Sequence, residues 1–199
     1  MSVARPYSAV CAALGWSGLG LQLYLLLHTA ALHGTSPVGA AISYISYFTI
    51  LSNILLAAVF TVEQRTPRIV TAIVVYMTVV GLTYSLVLRR LWDPTGAQLV
   101  ADRLLHDVMP IAAVVYWFCF VARGQLRWRD AATWLAFPVA YMVYVMIRGA
   151  LTGVYPYPFA DVSAIGYPRA LLNAGVLVVG FWGVGLLFIA TDRLRAKRL

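Results

Sequence analysis

The chain has 199 residues, 62% of them hydrophobic and only 11% charged. Soluble domains carry roughly 25% charged residues, so this composition excludes a water-soluble globular domain and indicates an integral membrane protein. The net charge of +8 does not signal nucleic acid, because the basic residues sit in short segments flanking apolar runs, where membrane topology accounts for them.

A membrane-crossing helix needs about 20 apolar residues. Six segments qualify, at 7–28, 40–61, 69–88, 104–122, 131–148 and 169–191. The first follows Arg5 but is too apolar for too long to be a cleaved signal, whose core runs about 7–15 residues. The expected architecture is all-α: a polytopic membrane protein forming a single six-helix bundle over 1–199. Connections are short, so consecutive helices should pack antiparallel. Between the fifth and sixth segments, GVYPYPFADVSAIGYP carries prolines and glycines that forbid a long helix and aromatics that suit a membrane interface.

The charges give an orientation. Arg5, Arg65, Arg68, Arg123, Arg127, Arg129, Arg193, Arg195, Lys197 and Arg198 fall on one side, and Arg89, Arg90, Arg103, Arg148 and Arg169 on the other. The basic excess places both termini in the cytoplasm. Cys11 and Cys119 lie inside apolar runs without metal or CxxC spacing, so both read as buried free thiols.

The second segment contains YISYFTILSNILL, with polar residues in the middle of an apolar run. At 100° per residue, Ser43, Ser46, Thr49 and Asn53 share about a third of a continuous helix's circumference, and Ser52 borders that stripe. Such a face should look into the bundle, because unsatisfied polar groups in lipid are costly. Thr49 would lie about 13 Å inside the membrane. Small hydroxyl residues also serve as helix-packing contacts, which is the plainer reading of the serines.

The fourth segment opens with DRLLHDVMP. Asp102 and His106 are four apart and share a helical face. A carboxylate one turn from a histidine can fix its tautomer and support the imidazolium. Asp107 points about 100° away. A threonine hydroxyl needs a base within hydrogen-bond reach to become a nucleophile, and His106 is the best placed of the three histidines.

Three stretches in order, YFTILSN around Thr49, LLHDVMPI around His106 and TGVYPYPF at 152–159, resemble the androgen-induced-gene family. That family of multipass membrane proteins includes the androgen-dependent regulator of tissue factor pathway inhibitor and bacterial six-helix relatives. The likeness covers nearly the whole chain. It implies an intramembrane threonine hydrolase of fatty acid esters, with Thr49 as nucleophile and His106 as base, in a bacterial inner membrane. Two departures stand out: Leu105 replaces the asparagine before the histidine in the animal proteins, and Asp107 follows it where they lack an acid.

Around this pair, Asp102 is the expected orienting group, and Asn53, one turn from Thr49, is either a donor to the oxyanion or the hydroxyl or a packing hydrogen bond to a neighbouring helix. Arg148 follows an apolar helix directly and could clamp a lipid carboxylate, whereas Arg89 and Arg90 read as snorkelling to headgroups. Tyr157 of the proline-aromatic loop is assigned to the substrate, and the other aromatics to packing and interfacial belts. Glycines 175, 180, 183 and 185 read as close helix contact. No cofactor is expected: a His28–His106 haem draws one ligand from the membrane boundary, and no zinc spacing occurs. The expected partner is a lipid from the bilayer. The rival reading is a non-catalytic lipid-binding or small-molecule transport protein, whose sign would be broken helices.

Overall fold

The computed structural model describes residues 3–62 and 66–197, so Arg65 and Arg198 of the charge count lie outside the described residues. The described residues are helical, with no strand among them. Among the described residues five helices are long and apolar enough to cross a membrane: Ala4–Leu32, Pro67–Leu88, Gly96–Phe120, Trp128–Thr152 and Val162–Ala196. A sixth crossing exists only if the bent pair Pro37–Ile45 and Phe48–Thr61 counts as one span. The chain divides into two compact units, Met1–Ala122 and Arg123–Leu199.

In the first unit the helices are α1 (Ala4–Leu32), α2 (Pro37–Ile45), α3 (Phe48–Thr61), α4 (Pro67–Thr83), α5 (Gly96–Arg103) and α6 (Met109–Phe120). Helix α2 is capped by Ser36, whose hydroxyl accepts from the Gly39 amide at 3.3 Å, with Pro37 in the first turn. α4 ends in a π-helical turn, Tyr84–Leu88, closed by a 2.8 Å bond from the Arg89 amide to the Tyr84 carbonyl. A second π turn, Leu104–Val108, joins α5 to α6. Pro110 explains its location, because proline lacks the N–H that would bond the His106 carbonyl and its ring crowds that oxygen.

α1 runs antiparallel to α3 and to α5–α6. At one end Tyr7 meets Phe60, Tyr116 and Phe120; near the other end Gln22 accepts from Gln98 at 2.7 Å. Between them the Tyr44 hydroxyl donates to the Leu19 carbonyl at 2.7 Å. α4 is antiparallel to α6: the Trp117 indole donates to the Thr71 hydroxyl at 2.9 Å, and both residues are buried. Gly81 lies at that seam, where a Cβ would sit 3.1 Å from Pro110.

The sequence reading of a continuous helix over 40–61 is corrected. The chain bends by 73° between α2 and α3, with Tyr47 in extended conformation before α3. Neither proline nor glycine occupies the bend, so local propensity did not reveal it. Ser43 and Ser46 therefore do not share a helix with Thr49. The Ser46 hydroxyl instead bonds back to the Ile42 carbonyl at 2.6 Å. The fourth span also starts at Gly96 rather than 104, which sets His106 about 15 Å inside its helix.

The second unit holds α7 (Trp128–Thr133), α8 (Ala136–Thr152), a 3-10 turn (Pro158–Ala160) and α9 (Val162–Ala196). α8 ends on Gly153 in the left-handed region at φ 71, as helix C-termini favour. α9 is interrupted at Gly166, where φ is 73, two residues before Pro168. Buried Asp192 accepts from the Gly124 amide at 2.9 Å and the Leu126 amide at 3.2 Å, tying the segment before α7 to α9. The glycine reading in α9 holds only for Gly185, where a Cβ would meet Ala131 and Trp134. Among the described residues nothing lies within 4 Å of one at Gly175, Gly180 or Gly183. Cys11 is buried as expected, but Cys119 is exposed, and both are free.

Candidate functional site

Thr49 is the second residue of α3 and is 7% exposed. The break before Phe48 puts it in a first helical turn, where amides have no intrahelical carbonyl to bond and the helix dipole is positive. One turn on, Asn53 is fully buried. Its Nδ2 donates to the Thr49 carbonyl at 2.9 Å and to the Leu105 carbonyl at 3.2 Å. The opposite amide orientation would set oxygen against two carbonyls, so the assignment follows from chemistry. Both amide hydrogens are thus engaged, and Asn53 acts as a bridge from α3 to the π turn that carries His106 rather than as a spare oxyanion donor. Asn53 Oδ1 and the Ser52 hydroxyl are buried without a hydrogen-bond partner among the described residues.

His106 sits in the second π turn and Tyr84 in the first. Their rings stack at 3.9 Å between centroids and 15° between planes. The Tyr84 hydroxyl donates to Asp102 Oδ2 at 2.6 Å. His106 Nδ1 lies 3.1 Å from the Asp102 carbonyl oxygen and 3.1 Å from Asp102 Oδ1. The carbonyl is the better aligned of the two, since Oδ1 makes no geometrically good hydrogen bond. Asp102 is 2% exposed, whereas the His106 side chain retains 18%. Nδ1 therefore faces two acceptors, one of which can never donate. The neutral ring carries its proton on Nδ1 and leaves the Nε2 lone pair outward from this pair. The sequence spacing of Asp102 and His106 anticipated this contact.

Tyr84 was not anticipated. The available signal was a tyrosine in an apolar segment, since a buried phenol normally finds a polar partner. Arg89 also differs from its snorkelling assignment. It pairs with Asp107, which is held from the other side by Arg103 at 2.9 Å, and its guanidinium lies 5.0 Å from the Tyr84 ring centre. Two helical turns of like geometry thus face each other, joined by a ring stack, a buried hydrogen bond and an ion pair. π turns of this kind recur at functional sites.

Arg148 and Tyr157 belong to the second unit. Arg148 Nη1 donates to the Val154 carbonyl at 2.5 Å, fastening the chain after α8. Tyr157 is buried and stacks on Phe159 at 5.0 Å. His28 stacks on Tyr24, and His33 Nδ1 lies 2.8 Å from the Thr29 carbonyl. Among the described residues no group of three His, Cys, Asp or Glu side chains could hold a metal. Comparisons with protein-family models, with curated proteins and with solved structures find no match, so the geometry stands by itself.

Proposed function

We propose that the protein is an intramembrane hydrolase of lipid esters of the fatty acid ester type. In this reading α2 and α3 together make one broken crossing of six, with both termini cytoplasmic. Thr49 Oγ attacks the ester carbonyl carbon while His106 Nε2 takes the hydroxyl proton. His106 returns that proton to the leaving alcohol, and an acyl-Thr49 ester remains. Water then attacks the acyl carbon, giving its proton to His106. Thr49 leaves with that proton, and the fatty acid is released. Asp102 orients the imidazole and supports its charged form.

The observation that carries this reading is the Asn53 bridge, which ties the Thr49 turn to the backbone beside His106. The oriented Asp102–His106 pair and the resemblance of YFTILSN and LLHDVMPI to membrane threonine hydrolases add to it. The test is labelling of purified protein in mixed micelles with an alkyl fluorophosphonate. Labelling should occur in the wild type and vanish in Thr49→Ala and in His106→Ala, each checked for folding. Labelling that survives Thr49→Ala removes the nucleophile.

A second reading has its own observation. The 73° break between α2 and α3 is the discontinuous helix from which transporters build sites near the bilayer centre. Under that reading the chain binds or passes a lipid or small molecule without chemistry, and neither Thr49→Ala nor His106→Ala changes any ester turnover.

A further inference from the structure

We infer that Tyr84 is a positioning residue for His106, acting both through its ring and through Asp102. The inference deepens the proposed reaction and rests on His106 being its base. Three observations converge on it. The Tyr84 ring covers a face of the imidazole at 3.9 Å, its hydroxyl holds Asp102 Oδ2 at 2.6 Å, and the other oxygen of the same carboxylate lies 3.1 Å from His106 Nδ1.

A carboxylate can rotate about its last bond. The Tyr84 hydroxyl fixes that rotation by engaging Oδ2, which leaves Oδ1 turned to Nδ1. The ring stack fixes the imidazole plane. The Asp102 carbonyl takes the Nδ1 proton, while the ring stack and the fixed carboxylate hold the imidazole in place and present Nε2 as the base. Tyr84 is itself anchored, since it opens the π turn that the Arg89 amide closes and lies beneath the Arg89 guanidinium. Neither part of this device requires Tyr84 to touch substrate.

The test separates positioning from catalysis. Protein labelled with 15N-histidine is compared as wild type and Tyr84→Phe, with the His106 signal assigned by its loss in His106→Gln. Wild-type His106 should be almost wholly in the Nδ1–H form. Tyr84→Phe keeps the ring but frees the carboxylate beside Nδ1, and should shift the His106 nitrogen resonances while the His33 signals stay put. Unchanged His106 nitrogen shifts in a folded Tyr84→Phe protein overturn the inference. Should that variant not fold, 3-fluorotyrosine incorporated into the unmutated chain alters the hydroxyl's donor strength, and the His106 nitrogen shifts should move; if they do not, the inference again falls. Turnover of a long-chain 4-nitrophenyl ester is read in parallel. If His106 is the base, Tyr84→Phe lowers kcat roughly tenfold or more with KM little changed. Changed His106 nitrogen shifts beside an unchanged kcat sustain the role of Tyr84 and refute the hydrolase reading instead.

Discussion

The side-chain amide of Asn53 reaches 3.2 Å across to the Leu105 carbonyl while also holding the Thr49 carbonyl of its own helix. One buried group therefore fixes the distance between a broken helix and a widened one. Replacing Asn53 by Ala strands the Leu105 carbonyl without its side-chain donor. The expected loss is about 1–3 kcal/mol of stability. It is read as a lower midpoint in a denaturant titration of the micelle-bound protein. An unchanged midpoint would mean the bridge is incidental to the packing.

The pairing of Arg89 with Asp107 links a different pair, the π turn after α4 and the π turn that carries His106. Because both side chains are partly exposed, screening limits what the pair contributes. The informative quantity is the coupling. Arg89→Asp and Asp107→Arg should each lower thermal stability, and the double swap should recover part of the combined loss. Strictly additive losses would count against a working ion pair.

Gly149 and Gly180 should respond oppositely to alanine. The Tyr155 ring occupies the space a Cβ at Gly149 would need, whereas nothing lies within 4 Å of one at Gly180. Gly149→Ala should destabilise by about 1–3 kcal/mol through overpacking. Gly180→Ala should raise stability by about 0.5–1 kcal/mol, because glycine is a poor residue for a helix interior. Melting temperatures of the two variants decide the matter, and a matching drop at Gly180 would indicate a contact outside this chain.

Asp192 offers a cleaner case of obligatory burial. Its carboxylate serves the amides of Gly124 and Leu126. Asp192→Ala leaves both donors without it, at an expected loss of about 1–3 kcal/mol, and should increase proteolytic cutting near Gly124. Asp192→Asn, which retains one acceptor, should lie between Ala and wild type.

What the sequence revealed follows from which forces act locally. The apolar runs were plain because lipid demands long stretches of greasy side chains, and every helix long enough to cross falls on one of them. The Asp102–His106 contact was plain because four residues make one helical turn. The break at Ser46–Tyr47 was not, since no helix-breaking residue stands there. Nor was the first π turn, because a single extra residue in a helix leaves no compositional trace there, whereas Pro110 marks the second. Tyr84 and Arg89 were missed together for this reason: their partners lie on a helix 18 residues away, and only the antiparallel register of the two spans brings them opposite Asp102 and Asp107.

The short reach of α3 has a consequence for the lipid around it. Fourteen residues rise only about 21 Å, against roughly 30 Å of hydrocarbon. A segment of that length anchored at one leaflet stops some 9 Å below the opposite one. If α2 and α3 form the proposed broken crossing, that shortfall is made up by α2, by an acyl chain tilting inward or by a locally thinner bilayer. Bilayers built from shorter acyl chains should therefore suit this protein better than thick, sterol-rich ones.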